Sequence, residues 1–186
     1  MQTDNSIIKR KCALICDLSK RMKEKSYSFG KTILQKEIFL LQELYTVPCG
    51  YKFELYTYGP FSSELLNDLD YVTALNGVNV TYWGPYGYQI DPGDSNSNLR
   101  EMDLIFLETF NDKINKVIDE FGKFSAKELE LISTIIYCDR NVEKESTKEK
   151  FIQVIKGIKP KFSDFEIEAM ITDLEKKAYI RIRSIE

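Results

Sequence analysis

The sequence predicts a mainly helical α+β protein, and three observations lead to this fold class. Most apolar residues recur at three- and four-residue spacing, which is typical of amphipathic helices. Residues 51–58 and 78–90 instead alternate apolar or aromatic with polar side chains, which is typical of short strands. The 186 residues are 43% hydrophobic and 12% aromatic, a composition that favours a folded chain over a disordered one.

The N-terminal half is predicted to alternate helices and strands. Apolar stripes predict helices at 9–24 and at about 32–44. The aromatic stretch 51–58 predicts a strand, which Gly59 and Pro60 are expected to end.

A third helix and a β-hairpin are predicted to follow. Ser62 is placed to cap a helix that runs to about Leu75, and Glu64 lies in its first turn, where the helix dipole favours an acidic side chain. Residues 78–90 then predict two strands joined by a Gly-Pro turn, and residues 91–98 predict a polar loop.

The C-terminal half is predicted to be helical almost to its end. Apolar residues in 98–120 follow nearly a seven-residue repeat, and two Ser-x-x-Glu capping boxes indicate further helix starts. The predicted elements are a helix at 98–120, a helix that begins at Ser125 with Glu128, a short helix around 151–155, a helix from Ser163 with Glu166 to about Lys177, and a closing alternating strand at 179–185.

This order of elements is the plan of a winged helix. Consecutive helices followed by a small β-hairpin match a helix–turn–helix unit with a wing. We therefore expect a winged-helix-like lobe with a small β-hairpin at 1–95 and a helical lobe ending in a short strand at 96–186, packed together as one compact unit.

The residue types present exclude several kinds of enzyme. The chain contains no histidine, which excludes Ser-His-Asp and Cys-His catalysis and HExxH zinc sites. No phosphate-binding glycine motif occurs. Cys12 and Cys16 lie four residues apart on one predicted helix, and we expect them to be small buried apolar residues; a redox pair or a soft-metal site is the alternative, for which no second half is present. These observations predict a protein without catalysis and without a cofactor.

A divalent-cation site is the basis of a third, enzymatic hypothesis. Asp91, Asp94, Glu101 and Asp103 lie around the polar loop and offer the oxygen ligands that divalent metals take. Their spacing does not match an EF-hand loop, and Asp is also an ordinary turn residue. A metal-dependent enzyme is therefore ranked last.

The apolar segments and the cysteines predict the compartment. The first apolar run is too short for a signal peptide, and no stretch approaches membrane-spanning length. The cysteine spacing shows no disulfide framework. We therefore expect a reduced, cytoplasmic protein that does not contact membranes.

Charge is distributed unevenly along the chain. Residues 1–40 carry a net charge of +5, residues 41–122 carry −9, and residues 123–186 carry +1. The helix at 62–75, which a winged-helix regulator would insert into DNA, contains carboxylates and no Lys or Arg, and the hairpin at 78–90 is uncharged. Because phosphates repel carboxylates, the charge pattern argues against the usual DNA-binding mode.

DNA binding through the basic N-terminal region is the alternative function, that of a transcriptional regulator. A homodimer would gather enough phosphate contacts for this role, although a charged helix face is also an ordinary solvated surface. The candidate nucleic-acid-binding residues are Lys9, Arg10, Lys11, Lys20, Arg21, Lys23, Lys25, Lys31 and Lys36.

Aromatic side chains on the predicted strands indicate a protein partner instead. Tyr and Trp are favoured anchors at protein interfaces, and their number exceeds what one small hairpin needs internally. The candidate partner-binding residues are Tyr56, Tyr58, Phe61, Tyr82, Trp83, Tyr86 and Tyr88. Turn chemistry alone also explains one part of this set, since Gly59 permits an unusual backbone angle, Pro60 stiffens the turn and Ser62 caps a helix.

Three segments of the chain resemble a known family. LQKEIFLLQEL and YKFELYTYGPFSSELLNDLDYV are similar to the uncharacterised YwgA-type family of bacterial and archaeal proteins, and KPKFSDFEIEAMITDLEKKAYI resembles its closing helix and strand. In outline the chain is also similar to SocA/Panacea-type antitoxin domains. The matching motifs are Leu34-Gln35-Lys36 and Tyr58-Gly59-Pro60-Phe61-Ser62.

The resemblance implies a fold and a class of function. The YwgA-type family implies a winged-helix-like fold with no settled activity, and the antitoxin-like relatives imply toxin neutralisation or adaptor roles through protein contacts. With the residue-based arguments, this predicts a non-enzymatic regulatory or protein-interaction module, with the DNA-binding regulator second.

Overall fold

The computed structural model describes residues 2–141 and 147–181, in which helices predominate and the strands form two short antiparallel hairpins. The helices are α1 (Gln2–Glu24), α2 (Lys31–Tyr45), α3 (Ser63–Ala74), α4 (Asn96–Arg100), α5 (Leu104–Thr109), α6 (Asn111–Phe121), α7 (Ala126–Asn141), α8 (Lys148–Ile158) and α9 (Asp164–Lys176). The strands are β1 (Glu54–Tyr56), β2 (Gly59–Phe61), β3 (Val78–Tyr82) and β4 (Tyr88–Pro92), with 3₁₀ turns at Gly84–Tyr86 and Glu101–Asp103. The predicted mainly helical class is confirmed.

Helices α1 and α2 are the centre of the core. α1 packs against α3, β4, α4 and α5, and α2 packs against β2, α6 and α7. Cys12 and Cys16 are buried in this core as free thiols, as predicted, and burial raises the pKa of Cys16 to about 12, so the thiol is inert near neutral pH. In the described part of the chain, no helix has the length and apolar character needed to cross a membrane.

The three helix starts that the sequence predicts from capping residues are confirmed. The Ser62 hydroxyl accepts the N–H of the residue three positions later, at 3.4 Å. Ser125 with Glu128 and Ser163 with Glu166 each form a reciprocal capping box, in which the serine hydroxyl accepts a backbone N–H and the carboxylate accepts another. These caps satisfy N–H groups that a helix start leaves free.

The hairpin predicted at 78–90 is confirmed as β3 and β4, whereas the strand predicted at 51–58 is wrong in extent. Only Glu54–Tyr56 is extended, and Gly59 and Pro60 begin a second strand instead of ending the first. Tyr56 pairs with Gly59 across a two-residue turn, because Gly59 adopts a φ of +87° that L side chains avoid.

The single helix predicted at 98–120 is also wrong. The chain breaks into α4, a 3₁₀ turn, α5 and α6. The Asp103 side chain starts α5 by accepting the N–H of Phe106 at 3.1 Å, and Phe110 leaves helical geometry with φ −106° and ψ 12°. The apolar residues of the seven-residue repeat therefore belong to several short helices, each of which contributes buried side chains to one core.

The predicted closing strand at 179–185 falls largely on residues 182–186, outside the described residues. Residues 179–181 are irregular.

Candidate interaction site

The two short motifs of the family resemblance contact each other in the structure. The Gln35 side-chain amide donates to Ser62 O at 2.9 Å, and its oxygen accepts the Ser62 N–H at 2.9 Å. One residue later, the Lys36 ammonium donates to Pro60 O at 2.7 Å. Helix α2 thus holds the β1–β2 hairpin through buried polar side chains, and this sets the direction in which the hairpin projects.

The opposite side of the same hairpin is held by the C-terminal half of the chain. The Lys159 ammonium donates to Thr57 O at 2.5 Å and forms an ion pair with Glu130 Oε1 at 2.9 Å. A Cβ on Gly59 would lie 3.0 Å from Thr134 Oγ1, so α7 packs directly against the turn. The hairpin tip is therefore fixed from both sides.

The β3–β4 hairpin is attached at the beginning of α2. Ile90 donates its N–H to Phe29 O at 2.7 Å. Gly30 lies so close to the Tyr88 carbonyl that any Cβ at position 30 would collide with it. This close approach brings Tyr88 beside the first turn of α2, on the side where the other hairpin lies.

The two hairpins and the first turns of α2 enclose a pocket of about 290 Å³. Aromatic side chains from both hairpins and two lysines of α2 line it together with smaller contributions from Thr32, Gln35, Gly59 and Leu66. The aromatic and cationic lining residues are Tyr56, Tyr58, Phe61, Tyr88, Lys31 and Lys36.

The structure separates the predicted aromatic set into two groups. Four of its seven members line the pocket, whereas Tyr82 and Trp83, at 65% and 60% exposure, lie beyond it on the second hairpin. Tyr82 still contacts Tyr88 across the strands, with ring centroids 5.2 Å apart. The Tyr86 side chain falls outside the described atoms. The aromatic set was expected on adjacent strands, but its members lie on two separate hairpins. The hairpins come together because both contact α2.

Lys36 has the most perturbed environment of the pocket-lining amines. Lys36 is 2% exposed, and its pKa is lowered to about 7. Burial is the larger cause and the nearby charge of Lys159 is the smaller one, whereas the charge of Glu130 acts in the opposite direction. The Lys36 amine therefore loses its proton at a lower pH than an exposed lysine does.

Most of the proposed nucleic-acid-binding residues contact acidic or aromatic groups of the same chain. Lys11 is 3% exposed, pairs with Glu64 and with Asp68 (3.6 Å), and lies 4.4 Å from the centre of the Tyr51 ring. The helix that a winged-helix regulator would insert into DNA thus uses two of its carboxylates to hold α1.

Six of the other eight basic side chains also contact an acidic or aromatic group of the chain. The +5 N-terminal segment folds against the −9 middle segment, so its charge is largely neutralised within the chain. Lys9 is exposed and Lys36 is buried. The remaining contacts are Arg10 with Asp103 (3.6 Å), Lys20 with Glu24 (3.7 Å), Arg21 with Asp17 (2.6 Å), Lys23 with Asp91 (2.7 Å), Lys25 with Asp119 (2.7 Å), and Lys31 over the Tyr88 ring (4.5 Å).

The carboxylates around the polar loop do not converge. Asp91 pairs with Lys23 on α1, whereas Asp103 caps α5 and pairs with Arg10. Among residues 2–141 and 147–181, no three acidic or cysteine side chains form a group that could hold a metal ion.

Sequence reasoning assigned no role to three residues that hold the first hairpin in place: Gln35, Glu130 and Lys159. A polar Gln-Lys pair inside the apolar stripe of α2 was the available signal for two buried polar side chains. No local signal connects Lys159 with Thr57, which lies 102 residues away.

Comparison with known proteins agrees with the family resemblance. No protein-family model matches the chain. The chain is 28% identical over 152 residues to the uncharacterized protein YwgA of Bacillus subtilis (strain 168). The matched segment covers 78% of this chain and 85% of YwgA. The similarity to SocA/Panacea-type domains stays a prediction. Over most of its length, the chain is similar in sequence to YwgA.

Proposed function

We propose that this protein is a non-enzymatic interaction module that binds a protein partner through its two aromatic hairpins. The observation that carries this proposal is the pocket at the start of α2, with Tyr56 and Tyr58 on one side and Tyr88 on the other. Tyr56 and Tyr58 are 67% and 61% exposed, although such side chains usually bury much of their area. A partner that covers them would gain that burial.

The backbone of the first hairpin is already held in place, which favours partner binding. Gln35, Lys36 and Lys159 hold the backbone of the first hairpin by hydrogen bonds, so little backbone freedom is lost when a partner binds. Binding affinity depends strongly on such preorganisation. An antitoxin-like or adaptor-like role uses a surface of this kind.

A winged-helix-like arrangement of the N-terminal part belongs to the same proposal. Helix α3 packs on α1, and the β3–β4 hairpin follows α3 as a wing would. In this arrangement α3 serves the core, since Glu64 and Asp68 pair with Lys11, and the wing presents aromatic side chains. Four free buried cysteines accord with a reducing compartment, the cytoplasm.

The experiment is affinity capture of the tagged full chain from the cell that naturally makes it, with mass spectrometry and nucleic-acid sequencing of the same eluate. We expect a recurrent protein that is lost from a Tyr56→Ala, Tyr58→Ala double variant and weakened by Trp83→Ala with Tyr86→Ala. Tyr71→Ala is the matched control, because Tyr71 is a 50% exposed tyrosine on α3, outside the pocket.

Two outcomes would contradict the proposal. One is capture that does not change in the double variant while circular dichroism shows that the variant is folded. The other is a recurrent DNA site whose binding falls steeply with salt, with a log–log slope of about −0.9 per neutralised phosphate. A mainly aromatic protein interface is much less sensitive to salt.

A further inference from the structure

Two lysine amines pair with a single buried carboxylate beneath the first hairpin, and a third amine, that of Lys36, is close enough to feel its charge. Lys159 lies 2.9 Å from Glu130 Oε1, and Lys161 lies 2.7 Å from Glu130 Oε2. Both oxygens of Glu130 thus lie within ion-pair distance of an amine. Lys36 donates to the neutral carbonyl of Pro60 and makes no ion pair with any residue that the structure describes. The cluster therefore carries more positive charge than its own carboxylate balances.

This excess charge faces the pocket between the hairpins. Lys36 lines the pocket, and no Asp or Glu is among the described residues that line it. Lys31 also lines the pocket, 4.5 Å from the Tyr88 ring centre, and Lys161 lies 5.6 Å from the ring centre of Tyr58, a lining residue. An occupant with a negative charge would therefore meet two lysines in the lining and a third beside Tyr58.

The size of the pocket indicates what kind of anion fits. Its volume of about 290 Å³ is slightly below the range of about 300–1,000 Å³ that ligand and cofactor sites occupy. Aromatic walls favour flat or apolar groups beside the charge. One or two side chains of a peptide, one acidic and one aromatic, match these features better than a nucleotide does.

Resting on the proposed function, we propose that the pocket binds an acidic segment of the partner protein, with a carboxylate of that segment paired to the Lys36 ammonium and a neighbouring aromatic ring packed against Tyr58. Lys36 is then the residue that selects for negative charge. Because burial lowers the pKa of Lys36 to about 7, a bound carboxylate would raise that pKa, and binding would weaken as the pH rises above neutrality. The charges that act on the amine are those of Lys159 and Glu130, and Lys161 pairs with the same Glu130. The titratable groups that line the same pocket are Lys31, Tyr56, Tyr58 and Tyr88.

The test uses two peptides that differ only in charge, acetyl-Gly-Glu-Tyr-Glu-Gly-amide and its analogue with Gln in place of each Glu. Binding to the full chain is followed by NMR titration with isotope-labelled protein. We expect the acidic peptide to bind at least about tenfold more tightly and to shift the signals of Lys36 and Tyr58. Lys36→Met should remove this preference, whereas Lys36→Arg should keep part of it. Lys52→Met is the control, because Lys52 is an exposed lysine just before β1 that does not line the pocket.

Several results would overturn the inference. Equal affinity for the two peptides, or no binding of either, contradicts charge selection. A preference that Lys36→Met leaves intact contradicts the role of Lys36; if that variant does not fold, a preference in the wild-type chain that does not decrease above about pH 8 is the contradicting result. Preferential binding of an oligothymidylate over the acidic peptide would indicate a nucleic-acid site. Partner capture that needs Tyr58 but not Lys36 would overturn this inference while the proposed function stands.

Discussion

Gln35 and Ser62 exchange two hydrogen bonds across 27 positions of the chain, one from the side-chain amide to Ser62 O and one from Ser62 N to the side-chain oxygen, both 2.9 Å long. The Gln35 side chain thus bonds the backbone of Ser62, which joins β2 to α3, in the way that a neighbouring strand would. One side chain thus satisfies the buried Ser62 N–H and shares Ser62 O with the Leu66 N–H, which lies 3.4 Å from that oxygen. This contact fixes the first hairpin on α2 and so places Tyr58 and Phe61 at the pocket.

Gln35→Ala should lower the free energy of unfolding by about 1–3 kcal/mol, because the buried Ser62 N–H loses its partner, whereas Ser62 O keeps the Leu66 N–H at 3.4 Å. Gln42→Ala is a matched control: Gln42 forms the same pair of bonds with Tyr51, each 2.9 Å, but is only half buried. Water can replace that amide, so a loss of about 1 kcal/mol is expected. Urea denaturation of both variants checks this, and equal losses would contradict the importance of burial.

Gly59→Ala should destabilise the protein more than Gly87→Ala. Both glycines have positive φ, +87° and +78°, so each alanine incurs backbone strain of about 1–3 kcal/mol. At Gly59 the added Cβ meets Thr134 Oγ1 at 3.0 Å, whereas none of the atoms that the structure describes lies within 4 Å of a Cβ at Gly87. The difference between the two variants in thermal unfolding measures how tightly the turn packs on α7. Equal melting temperatures would show that the contact is not significant.

Glu37→Gln should make stability less dependent on pH. Glu37 is fully buried, neither of its oxygens has a hydrogen-bond partner among residues 2–141 and 147–181, and burial raises its pKa well above the usual value of 4.5. The unfolded chain loses this proton near pH 4.5 while the folded chain keeps it, so the free energy of unfolding of the wild type should fall as pH rises above that value. Urea midpoints from about pH 4 to about pH 8 for Glu37→Gln and for the exposed control Glu168→Gln check this. Parallel profiles for wild type and Glu37→Gln would contradict it.

Asp17→Asn should be strongly destabilising, by about 3–5 kcal/mol, because it breaks a buried ion-pair network. Asp17 is 0% exposed, and its two oxygens accept from Arg21 Nε at 2.6 Å and Arg100 Nε at 2.9 Å. Asp173→Asn is the control, since the Asp173–Lys177 pair is half exposed and should contribute at most about 1 kcal/mol. Denaturant unfolding measures both changes. A loss below that of the control would mean that the network does not stabilise the fold.

Local signals predicted the elements that depend on local chemistry. The caps at Ser62, Ser125 and Ser163 and the β3–β4 hairpin all follow from residues within a few positions of one another. The predicted break after residue 58 and the continuous helix at 98–120 were wrong for the same physical reason. In both places the backbone conformation depends on contacts with residues far away in the sequence. The Gly59 turn packs against α7, and the helices after residue 96 pack around α1.

The sequence by itself determined the mainly helical class, the helix starts, the burial of Cys12 and Cys16 and the uneven distribution of charge. Only the tertiary structure decided how those charges are used. The basic N-terminal segment pairs with the acidic middle segment, and one lysine, Lys36, is buried without an ion-pair partner among the described residues. The physical reason is that opposite charges far apart in sequence become neighbours only when the core between them forms, and the free energy of an ionised group depends on that final environment.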